Sequence, residues 1–143
     1  AASLMLPAAR FATFGRVVTV ERVATGPIRA GEITTYQSFV DRSVIGDGLE
    51  GHELWQHANL QANGLATSRL STIASQSNPV IALERSVHQQ VNAAQRALNA
   101  AGHAPIENIN ANAQILRNLN VAPTNDIARL QQMAIKHAQT NGH

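Results

Sequence analysis

The chain has 143 residues, 44% of them apolar, no cysteine, and a formal charge of +2 from 11 Lys+Arg against 9 Asp+Glu. That length buries one real core but falls short of two independent ones, and without cysteine a disulfide framework and a thiolate metal site are both excluded. No stretch approaches the roughly 20 apolar residues of a membrane-spanning helix, and Ala1 to Phe14 lacks the long apolar segment of a secretion signal.

Aromatic residues make up 3% of the chain, so the core is expected from Ala, Leu, Ile and Val, which favours helices. All the cations are Arg except Lys136. Arginine suits bidentate phosphate contacts, and it equally suits an ordinary solvated surface. The chain begins at Ala1 and not at Met, as expected of a piece excised from a longer protein.

In chain order, Phe11 to Val40 carries two strand-like runs, Val17-Val18-Thr19-Val20 and Ile33-Thr34-Thr35-Tyr36, separated by Gly26-Pro27 and Gly31. Ser43 to Gly51 holds Gly46, Gly48 and Gly51 with Asp47 and Glu50, the composition of a loop. Glu53 to Asn63 (ELWQHANLQAN) reads as a helix ended by Gly64. Thr67 to Asn78 is polar and serine-rich, an irregular connection. Pro79 then opens a helix with an apolar stripe at Ile81, Leu83, Val87, Val91, Ala94 and Leu98, stopped by Gly102. Pro105 to Leu119 and Asn125 to Ala138 are two further amphipathic helices, parted by Pro123. No internal repeat is visible.

The chain has six histidines. His143 is terminal, His137 lies on a polar helix end and His103 follows a helix-stopping glycine, so these three are expected to be structural or exposed. His88 and Asn92 stand four residues apart, on one helical face, and can offer a nitrogen and an oxygen to one divalent cation. Taken alone, such a pair is common and binds nothing. Gly51-His52-Glu53 falls at an expected loop-to-helix junction, where glycine lets the backbone bend and leaves the histidine reachable. Taken alone, Glu53 is a helix-starting acid near the positive end of the dipole and His52 is merely exposed.

Read in order, LEGHELWQHANLQANGL followed by NPVIALERSVHQQVNAAQ resembles the HNH/endonuclease VII superfamily, in particular bacterial toxin nucleases with a Gly-His-His or Gly-His-Glu signature, over about residues 49 to 96. The most specific stretch is Asn78-Pro79-Val80-Ile81-Ala82-Leu83 followed by His88. The resemblance implies a single α+β, mostly helical domain over residues 1–143. Its core is a ββα-metal (HNH, treble-clef-like) nuclease, with additional C-terminal helices over about 105–138. It implies a metal-dependent DNA endonuclease acting as an antibacterial effector toxin, secreted or contact-delivered, as by type VI secretion, into the target-cell cytoplasm. DNA is then the substrate and a cognate immunity protein the partner.

Carried over residue by residue, His52 matches the signature histidine that activates water, Asn78 the middle asparagine, and His88 and Asn92 the metal ligands of the helix. Glu53 fills the third signature place, orienting His52 or binding metal, as Glu50 also can. If the chain follows the doublet order, His52 is a ligand and Glu53 stands where the base belongs. His52 is preferred as base because an imidazole near its ordinary pKa accepts a proton from water better than an exposed carboxylate. His57 is a reserve ligand. The cation stabilises charge on the phosphate and the leaving oxygen. Mg²⁺ is the expected ion, with Zn²⁺ or Ni²⁺ as alternatives that histidines accept. Arg69 and Arg85 flank the two motifs and are the expected phosphate contacts. The connection from Gly64 to Asn78 is longer than a minimal HNH hairpin requires. Rival readings are an RNase of the same superfamily and a non-catalytic helical module whose Asn- and Gln-rich helices bind a protein. A deaminase toxin is a remoter rival, because the chain lacks the cysteine pair that holds its zinc.

Overall fold

The run Pro79 to Leu83 is apolar at every position, and it forms not a helix but the central strand of a sheet. The computed structural model describes residues 25–143 and, before them, the backbone of two short strands, β1 (Arg10–Phe11) and β2 (Val18–Thr19). These pair antiparallel, Phe11 opposite Val18. The rest of the strand expected over Val17–Val20 lies outside the described residues.

The remaining elements follow as β3 (Ile33–Thr35), α1 (Tyr36–Arg42), β4 (Leu49–Glu53), α2 (His57–Ala62), α3 (Ile73–Gln76), β5 (Pro79–Glu84), α4 (Arg85–Gln95), α5 (Pro105–Leu119) and α6 (Thr124–Thr140), with a 3-10 turn at Ala100–Gly102. The chain is α+β and mostly helical, as the sequence implies. A three-stranded antiparallel sheet has the order β3-β5-β4. Its register sets Ile33 opposite Ile81, and His52 and Glu53 opposite Ile81 and Val80.

Several sequence expectations are corrected here. The helix from Pro79 begins only at Arg85 and ends at Gln95, not at Gly102. Val80, Ile81, Ala82 and Leu83 are all buried, and a strand covered on both faces shows no alternation that would separate it from a helix. The helix from Glu53 begins only at His57, because Leu49–Glu53 pairs with β5. The loop from Ser43 therefore stops at Gly48, and Gly51-His52-Glu53 lies within a strand and not at a loop-to-helix junction. The strand expected over Ile33–Tyr36 ends at Thr35, whose hydroxyl accepts the Ser38 N–H at 3.2 Å and starts helix α1, which the sequence reading did not anticipate. Helix α3 likewise interrupts the expected connection Thr67–Asn78.

The C-terminal helices form as expected. Pro105 sits at the first position of α5, and the Glu107 carboxylate accepts the Ala104 backbone N–H at 3.2 Å. Asn120, at φ +52°, closes α5 in the left-handed conformation that asparagine tolerates best after glycine. Ile109, Ala113 and Leu116 of α5 pack with Ile127, Leu130 and Ala134 of α6 and with Ile81, Leu83, Val91, Leu54 and Trp55. The core thus ties the C-terminal hairpin to β4, β5 and α4, and so fixes the sheet against the helix that follows it. No helix among the described residues is long and apolar enough to cross a membrane.

Candidate active site

Side chains two apart on a strand share a face, so Glu50 and His52 of β4 project together toward α4. His88 comes to meet them from the first turns of α4. The His52 and His88 rings stand 5.4 Å apart between centroids, at 67°. Two residues thirty-six positions apart in sequence are thus brought together by one antiparallel strand pair and the helix that continues from it.

Glu50 braces His88: its Oε1 lies 2.7 Å from His88 Nδ1 and its Oε2 accepts from Arg85 Nε at 2.9 Å. A carboxylate only accepts, so Nδ1 carries the proton and the Nε2 lone pair is left for a ligand or a proton. The His88 hydrogen bond, with that of Arg85 behind it, outweighs burial and holds Glu50 below the ordinary carboxylate value. The sequence left Glu50 in a supporting role, and its contact with His88 gives that role a geometry.

His52 is 2% exposed, and its Nε2 has no hydrogen-bond partner among the described residues. Burial first, then the neighbouring His88, push its pKa down to about 3. This corrects the expectation of an ordinary, near-neutral imidazole. His52 is a neutral ring with an unshared lone pair, because the sheet and α4 enclose it.

Glu53 leaves the strand on the other face. Arg69 pairs with its Oε1, and Asn78 donates to its Oε2 at 2.9 Å and to the Trp55 carbonyl at 2.8 Å. The Arg69 guanidinium also lies over the Tyr36 ring, 5.4 Å from its centroid. Asn78 is therefore the residue that ties the start of β5 to the end of β4, and its Oδ1 remains buried without a partner among the described residues. Gly51 is small for a visible reason: a Cβ there would stand 3.0 Å from the Phe39 ring. Arg85, by contrast, is largely exposed at the outer edge of the Glu50 contact.

These groups surround a cleft of about 400 Å³ lined by His52, Glu53, His57, Arg69, His88 and Asn92, with Gln56, Gln61 and Gln95 completing its wall. His57, at the start of α2, has a buried Nδ1 without a partner among the described residues, and burial, then Arg69, lower its pKa. The cleft collects every proposed site residue except Asn78, Glu50 and Arg85: Asn78 bonds the lining Glu53, Glu50 bonds the lining His88, and Arg85 stands behind Glu50. The glutamines escaped the sequence reading, although Gln95 follows His88 and Asn92 at the spacing of one helix face.

A divalent cation has two kinds of donor available here, imidazole nitrogens and amide oxygens, since both carboxylates are tied to arginines. Among the described residues no group of three or more His, Asp or Glu is arranged to hold a metal. Any cation here would therefore need water and ligand oxygen to complete its shell. Comparison with protein-family models, curated proteins and solved structures finds no match to this chain.

Proposed function

We propose that the protein is a metal-assisted phosphodiesterase acting on nucleic acid, in which β4, β5 and α4 serve as a ββα-metal core. The observation that supports this reading is the meeting of His52 and His88 at 5.4 Å on the wall of one cleft. His88, oriented by Glu50, and Asn92 one turn later would hold the cation, in the carboxylate-histidine-metal arrangement that fixes the ring and raises its basicity. When bound, the cation supplies charge stabilisation at the phosphate and the leaving oxygen.

His52 takes the proton from water. Its burial keeps the lone pair free at any pH above about 3, and an anionic phosphate brought beside it favours the imidazolium that proton transfer creates. Glu53 is held by Arg69 and Asn78, so its part is to position Arg69 at the mouth of the cleft as a phosphate contact. DNA is the proposed substrate, and an antibacterial effector role with an immunity protein rests on the resemblance alone.

Purified protein with plasmid and Mg²⁺, Mn²⁺ or Zn²⁺ in turn should nick the DNA, EDTA should stop it, and His52→Ala and His88→Ala should each lose at least about a hundredfold in rate. Absence of nicking with every ion, or full activity in both variants, overturns the reading. The competing reading, a helical protein-binding module, draws on the exposed apolar side chains Val44, Ile45 and Ile73. Expression separates them: a nuclease arrests a bacterial host and a binding module does not.

A further inference from the structure

Two residues of the cleft wall, Gln56 just after β4 and Gln95 at the end of α4, are held from behind by asparagines of α5. Asn108 and Asn112 are fully buried, and their orientation is decided by backbone groups whose polarity is unambiguous. The Gln56 backbone N–H donates to Asn108 Oδ1 at 2.9 Å, so Asn108 turns its Nδ2 to Gln56 Oε1 at 2.8 Å. The carbonyls of Leu54 and Asn108 each lie 2.9 Å from Asn112 Nδ2, and a carbonyl only accepts. Asn112 Nδ2 also stands 3.0 Å from Gln56 Oε1. Asn112 Oδ1 is therefore the acceptor that receives Gln95 Nε2.

The consequence passes outward to the cleft. Gln56 has its oxygen engaged by Asn108 and is left with Nε2, a donor; Gln95 has one N–H of its amide engaged by Asn112 and is left with Oε1, an acceptor. Neither atom has a partner among the described residues. An isolated surface glutamine turns over freely, whereas these two cannot reverse without breaking the chain of bonds that ends at backbone groups.

We propose that Gln56 and Gln95 form a binding pair of fixed polarity for a phosphate-bearing ligand, Gln56 Nε2 donating to a phosphate oxygen and Gln95 Oε1 accepting from a hydroxyl or base N–H of the same ligand. The phosphate is favoured because Arg69 lines the same cleft with its side chain half exposed, and because both nearby carboxylates are already paired with arginines. The identity of the ligand as nucleic acid rests on the proposed function; the polarity of the pair does not. Asn112 is a positioning residue, acting only through the two glutamines.

Gln56→Glu tests the pair, because a carboxylate still accepts from Asn108 but no longer donates to the cleft. Gln132→Glu on the exposed side of α6 makes the same charge change away from it. The probe is a short single-stranded DNA with phosphorothioate linkages in metal-free buffer, followed by fluorescence anisotropy. Q56E should weaken binding at least about tenfold, or about 1.4 kcal/mol, while Q132E stays within about twofold of the wild type. Equal affinity of the two variants, or no binding by the wild type, overturns the inference. Side-chain amide exchange reads polarity without a ligand: the Gln95 Nε2 protons should exchange more slowly than those of Gln56, and the reverse order overturns it too. Plasmid cleavage that Q56E leaves untouched sinks the pair and keeps the nuclease. Polarity-dependent binding without cleavage by any cation does the opposite.

Discussion

The α5–α6 hairpin and the cleft between β4, α2 and α4 treat polar atoms in opposite ways. In the hairpin the buried amides of Asn108 and Asn112 are bonded on both their oxygen and nitrogen sides, and His137 Nε2 meets the Ala74 carbonyl at 2.8 Å. In the cleft His52 Nε2 and His57 Nδ1, and beside it Asn78 Oδ1, are buried without partners among the described residues. Each such atom costs about 1–3 kcal/mol. A fold that satisfies its amides in one region and leaves ring nitrogens unpartnered in another holds its stability in the first and leaves polar atoms uncommitted in the second. His103 Nδ1 is also unpartnered, and nothing in the structure explains it.

The largest expected effect lies on the hairpin side. Leu130 is fully buried among α5 and α6, and Leu130→Ala should cost about 2–5 kcal/mol through lost transfer energy and the cavity left behind. His88→Ala removes a mostly buried ring that lines the cleft and whose partner Glu50 keeps Arg85, so about 1 kcal/mol is expected, the ordinary net value of a hydrogen bond. Urea unfolding of both variants checks the ratio. Equal losses would make His88 a core residue, and the division between the two regions would fail.

The next effect is a pH dependence that belongs to the cleft. His52 has its pKa lowered from 6.5 to about 3 by burial and then by His88, so between those values the unfolded chain binds a proton that the folded chain refuses. Stability must then rise with pH across that window and be fully present above about 6.5. Acidification from pH 8 to pH 5 should remove about 2 kcal/mol through this one ring, taking 1.36 kcal/mol per pKa unit. His52→Gln, which carries no titrating proton, should flatten the profile by that amount in denaturation at the two pH values. The His52 ring signals should also stay unshifted by NMR from pH 8 to pH 5. A His52 that titrates near 6.5 would show the ring to be solvated, and its unpaired nitrogen would cease to distinguish the cleft.

The same division runs through what the sequence disclosed. Helices α5 and α6 were readable because each packs a single stripe into the core and is punctuated by Pro105, Asn120 and Pro123. β5 was not, since a central strand apolar on both faces has no period, and its neighbour Leu49–Glu53 looked like a loop because Gly51 yields to the Phe39 ring. His52, His88 and Asn92, singled out from their order along the chain, nonetheless line one cleft despite the error in element type. What no local pattern carried was burial: the depressed pKa of His52 comes from the enclosing sheet and helix, and the fixed amides of Gln56 and Gln95 come from α5, more than fifty positions beyond Gln56 in one case.

The smallest expected effect concerns Arg85, at the outer edge of the cleft. Its guanidinium meets Glu50 at 2.9 Å with the two side chains 64% and 34% exposed, and an ion pair this open to water contributes about 0–1 kcal/mol. Glu50 owes its lowered pKa first to His88 and only then to Arg85, so Arg85→Ala leaves the main brace standing. Glu50 contributes stability above its unfolded pKa and loses it as pH falls through the lowered folded value, so the small deficit of Arg85→Ala should vanish toward pH 3. It should also vanish in molar salt, where such a pair is screened. Nucleic-acid affinity is a separate readout: an arginine whose charge is only loosely spent on Glu50 remains free to contact phosphate, and its loss should reduce the salt dependence of binding by about one unit of slope. A variant with unchanged slope would mark Arg85 as a solvated surface residue and confine phosphate contact to Arg69, at the mouth of the cleft.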